Sequence, residues 1–159
     1  MQSGEAALPQ RRGRALAMTQ GERDAFLSAQ PVCRVATVSR GGRPHVSPLW
    51  FVWDGGALWL YSIVRSQRWT DLAADPRVSV AVDDGGANFG ELRGVELSGR
   101  AVIVGEVPRA GETYPELDAP ERLFAEKYGR MRHDARHAWL RLVPEKIVSW
   151  DFRKLRRDS

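Results

Sequence analysis

A pair of aromatic strands running directly into a basic turn, residues 43–80, constrains this chain more than any other feature. Val46, Leu49, Phe51 and Trp53 lie in one run, and Asp54-Gly55-Gly56 supplies residues that tolerate positive φ in a tight hairpin. The next strand, Leu58 to Ile63, leads into Arg65-Ser66-Gln67-Arg68, where Ser66 is placed to cap a short helix that Pro76 ends. Val78 to Val82 reads as a further strand. Guanidinium groups on either side of a helix cap suit a phosphate-bearing ligand.

The same punctuation organises the remainder. Residues 1–17 are small, polar and basic, which predicts a disordered tail ahead of one domain over residues 18–155. Thr19-Gln20-Gly21-Glu22 is a capping box that opens a helix over Gln20–Ser28, and Pro31 stops it. Met18 directly precedes the box, so translation from Met1 and from Met18 both fit the sequence. Val32 to Ser39 alternates as a first strand, and Gly41-Gly42 turns it into a second, Pro44 to Trp53. After a glycine-rich loop over residues 83–90 comes a long strand from Glu91 to Val104, with Gly94 and Gly99 as bulge positions. Asp118 is expected to begin a helix with Pro120 in its first turn and Gly129 at its close. Ala138–Val143 and Lys146–Phe152 read as a terminal pair of strands around Pro144-Glu145. Six or seven strands joined largely by short turns imply antiparallel pairing, and closure hides their edges. The fold expected is α+β, mainly β, built on an antiparallel barrel.

At 159 residues, 43% of them hydrophobic and six of them tryptophan, the chain can bury one sizeable core. No run of about 18 apolar residues could span a membrane. No apolar stretch follows the charged N-terminus, and the single cysteine, Cys33, has no internal disulfide partner. A soluble cytoplasmic protein is expected. The net charge is +4 and lysine occurs only at 127, 146 and 154, so arginine carries almost all the positive charge. That excess fits an arginine-rich composition as well as anion binding. The basic ends, Arg11 to Arg14 and Arg153 to Arg157, read as solvated. No zinc spacing, helix-turn-helix or aromatic RNA-binding motif accompanies them, so no nucleic-acid partner is expected.

Nucleophile triads, glycine-rich phosphate loops and zinc-protease spacing are absent. His133 and His137 stand in an apparent loop, and no metal is expected. His45 reads either as a packed or edge histidine or as a ring that hydrogen-bonds a ligand. Cys33 reads as a buried inert thiol. The strongest chemical grouping is Ser62, Arg65, Ser66 and Arg68, for a phosphate or a polyanionic tail. Alternation puts Trp50 and Phe51 on opposite faces, so one face needs a second cover, either another subunit or a planar ligand.

The chain resembles the pyridoxamine 5′-phosphate oxidase-like split-barrel oxidoreductases, in particular their actinobacterial coenzyme F420-dependent branch. The resemblance rests on Ala36-Thr37-Val38, on Gly42 to Phe51, on Asp71 to Ser79, on Val95 to Ala101 and on Val148 to Phe152. It implies a homodimeric FMN-binding split barrel with short peripheral helices and cofactor sites at the subunit interface. The cofactor ring would lie along Val46, Ser47, Pro48, Leu49 and Trp50, with Tyr61, Ser62, Arg65, Ser66, Gln67 and Arg68 around the phosphate. Gln67-Arg68 stands where the oxidases commonly carry two basic residues, which favours F420 over FMN. The implied activity is hydride transfer from reduced F420 to a small electron-poor acceptor, with no protein acid or base assigned. The alternatives are an FMN oxidase or reductase, and a non-catalytic carrier of F420, FMN or haem.

Overall fold

A computed structural model describes residues 6–156. Its centre is a seven-stranded sheet, antiparallel throughout, in the order β2-β1-β5-β6-β7-β4-β3. The strands are β1 (Cys33–Val38), β2 (Pro44–Leu49), β3 (Phe51–Trp53), β4 (Leu58–Ile63), β5 (Arg77–Asp84), β6 (Arg93–Val104) and β7 (His137–Asp151). Three helices join them: α1 (Gln20–Ala29), α2 (Gln67–Ala74) and α3 (Pro115–Tyr128). The fold is mainly β, as expected.

The two edge strands of this sheet are consecutive in sequence, with Trp50 alone between them. The sheet must therefore curl until its edges meet at that residue. The expected single strand from Pro44 to Trp53 is thus two strands, because β2 pairs with β1 while β3 pairs with β4 at the opposite edge. Alternation carries no information about which neighbour a strand takes, so the break is invisible to it.

Local chemistry explains the turns. The Thr19 hydroxyl accepts from Glu22 N at 3.2 Å, and the Ser66 hydroxyl accepts from Trp69 N at 3.1 Å, capping α1 and α2. Asp54 Oδ1 accepts from the amides of Gly56 and Ala57, while its Oδ2 takes the Trp59 indole N–H at 2.8 Å. One aspartate therefore closes the hairpin and fixes the first aromatic of β4.

Two boundaries differ from expectation. The helix expected from Asp118 starts at Pro115, without a side-chain cap, and Pro120 lies inside it. A first-turn proline needs no N–H, and Glu116 and Asp118 favour the positive helix end, so Pro115 serves as the start. The expected terminal pair around Pro144-Glu145 is one continuous strand, β7. Its register against β6 shifts between Ser98 and Gly99, passing from Lys146 to Pro144. A bulge absorbs the proline that the ladder could not use. A Cβ on Gly99 would stand 2.9 Å from Leu142 Cδ1, and one on Gly94 would stand 2.3 Å from the Trp150 ring. The extra residue is Glu145 on β7, facing the step from Ser98 to Gly99, and Gly94 is where an indole crosses the backbone.

Two apolar clusters occupy the two faces. Inside the curl, Cys33, Val35, Phe51, Leu58, Leu60, Val80, Val82, Val95, Leu97, Leu140 and Leu142 pack with Phe26 and Leu27 of α1 and Trp69 and Leu72 of α2. Outside, Val52, Trp59, Tyr61, Val104 and Trp139 pack against Leu117 and Phe124 of α3. Among the described residues no helix is long and apolar enough to cross a membrane.

Of the expected tail, residues 1–5 lie outside the described residues, as does Arg157 at the other end. Residues 6–17 run along the part of β7 that β4 leaves unpaired. Leu8 N donates to Glu145 O at 2.8 Å, and the Gln10 amide group exchanges hydrogen bonds with the Ser149 backbone at 3.0 and 3.1 Å. Met18 N donates to Ser149 Oγ. The C-terminal basic residues are paired rather than free: Arg153 with Asp151, Lys154 with Glu22, and Arg156 with Glu91. Deleting residues 1–17 removes the Leu8 and Gln10 contacts and bares a strand edge. The expected cost is about 1–3 kcal/mol in urea unfolding, with added self-association by light scattering. An unchanged midpoint would show that the strap contributes nothing.

Candidate functional site

The Ser66 cap places Arg68 in the first turn of α2, against the barrel. There the guanidinium bridges two strands that are not neighbours in the sheet. Its Nε donates to Ser62 Oγ on β4 at 3.0 Å and its Nη1 to Ser47 Oγ on β2 at 2.6 Å. Arg68 is only 6% exposed and Ser62 is fully buried. No carboxylate pairs with Arg68 among the described residues, and burial lowers its pKa. An arginine carries five N–H donors, and Nη2 here has no acceptor among the described residues.

Beside it lies a cleft of about 570 Å³, whose walls include Arg43, His45, Gln67 and Asp71. Asp71 is buried and accepts from Thr37 Oγ1 and from Gln67 Nε2, both at 2.7 Å, and these bonds hold its carboxyl below the ordinary range. His45 Nδ1 is buried and has no hydrogen-bond partner among the described residues. Arg65 is exposed and in no ion pair among the described residues.

Tyr61 and Ser62 are adjacent on β4, so their side chains leave opposite faces of the sheet. On Tyr61's side, between β4 and α3, is a cavity of about 720 Å³. Trp50 stacks on Tyr128 with ring centroids 4.2 Å apart, and Tyr61 meets Phe124 edge-on at 5.8 Å. The Tyr61 hydroxyl donates to the Arg132 carbonyl at 2.7 Å, tying down the loop after α3. In that loop Asp134 Oδ1 accepts from the amides of Arg136 and His137, and its Oδ2 holds His137 Nδ1 at 2.6 Å.

The eleven residues expected around a cofactor are therefore divided. Ser47, Ser62 and Arg68 come together, with Gln67 next to them but tied to Asp71. Trp50 and Tyr61 line the cavity of about 720 Å³, and Leu49, on the same face of β2 as Ser47, also lines it. Ser66 is spent on the cap, and Val46, Pro48 and Arg65 lie at the surface. Sequence reading passed over Thr37, Asp71, Phe124, Tyr128, Arg130, Arg132 and Asp134 as site residues. The arginines following the helix-ending Gly129 were the one available signal for the cavity.

Several titratable groups are buried in and around these regions. Burial raises the Cys33 thiol and the Tyr61 and Tyr128 hydroxyls to about 12, and lowers Lys127 to about 8. Lys127 Nζ donates to the carbonyls of Phe51 and Leu27 and stands 3.9 Å from the Phe51 ring centroid, with no carboxylate partner among the described residues. The signs follow from proton linkage. Between about 8 and its ordinary value of 10.5, Lys127 is neutral when folded and charged when unfolded, so stability rises with pH. The three acids contribute stability that is whole below their ordinary values, 9.0 for the thiol and 10.0 for the phenols, and lost as pH climbs towards about 12. Tm is expected to rise slightly from about pH 8 to pH 9, to level as the thiol offsets the lysine, and to fall above about pH 10, and Lys127→Met should remove the rise. A steady fall from pH 7 would contradict the assignment.

The family model for pyridoxamine 5′-phosphate oxidase matches residues 19–151, most of the chain. The chain belongs to this family. No curated protein matches it. Among solved structures, this family member is similar to a conserved hypothetical protein of Mycobacterium tuberculosis, at 28% identity and a TM-score of 0.74, over 93% of this chain and 92% of that one. It also resembles the haem storage protein HutZ of Vibrio cholerae, at 20% identity and 0.61, over 82% and 93%. An F420 reductase aligns at 23% identity and 0.57, over 79% and 94%. At those identities the last two likenesses establish the split-barrel fold alone.

Proposed function

We propose that this family member binds a planar, phosphate-bearing redox cofactor, FMN or F420, and uses it to reduce a small electron-poor acceptor. One observation carries the reading: Arg68 is buried between two neutral hydroxyls with no counter-ion. Keeping a guanidinium out of water without an anion is costly, and an arriving phosphate relieves that cost. The donor set fits such a group, since Arg68 keeps Nη2 without an acceptor among the described residues, it gathers the hydroxyls of Ser47 and Ser62, and His45 Nδ1, in the cleft that Gln67 also lines, has no partner among the described residues. Gln67 is occupied by Asp71, and Arg65 is free at the surface, which suits a longer anionic tail. When bound, such a cofactor supplies hydride transfer, while the protein positions it and excludes water.

Carriage without turnover is the second reading. Asp71, the carboxylate of the cleft, has its oxygens committed to Thr37 and Gln67, so it is a poor acid or base. A homodimer belongs to either reading, supported by the exposed Val46, Trp50, Val102, Ile103 and Val143. Titration of the purified protein with FMN, F420 and haemin tests all of this, with light scattering for the mass. Saturable binding of FMN or F420 followed by oxidation of the reduced cofactor by quinones or enones supports the enzyme. Binding without turnover supports the carrier, and binding of haemin alone overturns the phosphate anchor.

A further inference from the structure

We infer that Lys127 is an acylation site, whose amine takes a short acyl chain from a thioester and lodges it in a pocket between α1, β3 and α3. The pocket measures about 250 Å³ and is lined by Ser28, Val52, Trp53, Leu123, Glu126 and Lys127. Val52 and Trp53 are buried, whereas Ser28 and Glu126 are exposed, so an apolar floor lies beneath an open mouth.

The hydrogen bonds of Lys127 fix where its amine sits. Nζ donates to the carbonyls of Phe51 at 3.1 Å and Leu27 at 3.4 Å, and each of these residues directly precedes one that lines the pocket, Val52 and Ser28. The Phe51 and Tyr128 ring centroids lie 3.9 and 5.5 Å from Nζ. The carboxylates of the surrounding helices are engaged elsewhere, Asp24 with the Trp53 indole at 2.8 Å and Glu126 with Arg122 at 3.5 Å. The Cys33 thiol and the Tyr128 hydroxyl, both raised to about 12 by burial, carry no charge at neutral pH. Burial lowers Lys127 to about 8, so at pH 8 about half of its amine is the neutral nucleophile, against roughly one part in three hundred for an amine at 10.5.

The bonding at Nζ selects the product. Attack of its lone pair on the thioester carbonyl forms the C–N bond and breaks the C–S bond, and the leaving thiolate takes up the proton that nitrogen gives up. The resulting amide is uncharged, so burial no longer opposes it, and it keeps one N–H for the shorter bond to the Phe51 carbonyl. A carbamate would instead set an anion beside two carbonyl oxygens, and a neutral imine would keep no N–H at all.

The walls limit the acyl group. At about 250 Å³ the pocket is smaller than sites for drug-sized ligands, and Val52, Trp53 and Leu123 offer it hydrocarbon, which suits a short aliphatic chain. Glu126, the one carboxylate in the lining, disfavours a donor with an anionic leaving group, such as an acyl phosphate. An uncharged thioester is the matching donor.

The chain holds only three lysines, so the other two serve as internal references: Lys146 is exposed, and Lys154 is ion-paired with Glu22 at 2.9 Å. The full chain is treated at pH 8 with the N-acetylcysteamine thioesters of butanoic acid and of 4-(1-pyrenyl)butanoic acid, and acylation of each lysine is followed by peptide mass spectrometry. Nucleophilicity falls with basicity, so Lys127 should be butanoylated about tenfold faster than either reference, less than its excess of neutral amine alone would give. The pyrenyl thioester has the same reacting carbonyl and should show no such preference. Ser28→Trp, a change at the exposed rim, should narrow the mouth and remove the preference while leaving Lys146 and Lys154 unchanged. Arg68→Ala should alter none of these rates, which keeps the result independent of the cofactor reading. A Lys127 that reacts no faster than the references, an equal preference with the pyrenyl thioester, or a preference that survives Ser28→Trp would each overturn the proposal.

Discussion

Arg68→Ala is expected to weaken FMN or F420 binding by about a hundredfold while moving the stability of the free protein by no more than about 2 kcal/mol. The first number reflects charge-assisted hydrogen bonds to a phosphate, each contributing roughly 1.5–3 kcal/mol. The second is a balance of opposing effects. Alanine leaves the fully buried Ser62 hydroxyl without Arg68 as donor, which costs about 1–3 kcal/mol. It also removes a buried cation that has no counter-ion, and that relief is of similar size. Cofactor titration and urea unfolding on the same preparation separate the two. A variant that binds as tightly as the parent would sink the phosphate assignment, whatever its stability. A variant that loses both binding and several kcal/mol would mean that Arg68 is chiefly structural.

Trp139→Ala should produce the largest loss of stability, about 3–5 kcal/mol, which for a chain of this size lowers Tm by roughly 10–15 °C. Trp139 has no exposed surface. It stacks on Tyr61 at 4.8 Å and meets Phe124 and Trp59 edge-on at 5.8 and 6.3 Å. Its indole N–H donates to Glu121 Oε1 at 3.2 Å, and the same oxygen accepts from the buried Arg109 at 2.6 Å. The indole therefore joins the sheet to α3 by packing and by a polar network at once. Its loss also removes the support behind Tyr61. Trp139→Phe should recover most of the packing but not the contact with Glu121. Thermal unfolding decides the matter, and a loss below about 1 kcal/mol would mean that the second apolar cluster is not what holds α3.

Much of this molecule was legible because the signals were local. Thr19, Ser66, Asp54-Gly55-Gly56 and Gly129 act within a few residues of themselves, so the caps and turns appear where the sequence places them. Period-two alternation marked β1, and the demand that Trp50 and Phe51 face opposite ways follows from the pleat alone. Trp50 was misplaced inside a strand because nothing local states that β2 and β3 take partners at opposite edges. The long β7 was divided at Pro144 for a related reason, since a proline looks like a terminus until a partner strand supplies a bulge.

The candidate site divides along the same line. Ser62 and Arg68 could be nominated from a basic turn after an aromatic strand, because helix capping and anion chemistry are properties of short segments, whereas Ser47 entered only through the resemblance to a family. That Arg68 has no carboxylate, that Gln67 is taken by Asp71, and that Asp134 orients His137 beside Tyr61 are facts about residues far apart in the chain or on different faces. By itself the sequence determined the strands, the turns and an antiparallel mainly-β class, since periodicity and turn chemistry act locally. Only the tertiary structure decided which edges meet at Trp50, which arginine is desolvated without a partner, and that the basic turn and the aromatic run serve opposite faces. Pairing order and burial depend on long-range contacts, which a run of residues does not encode one stretch at a time.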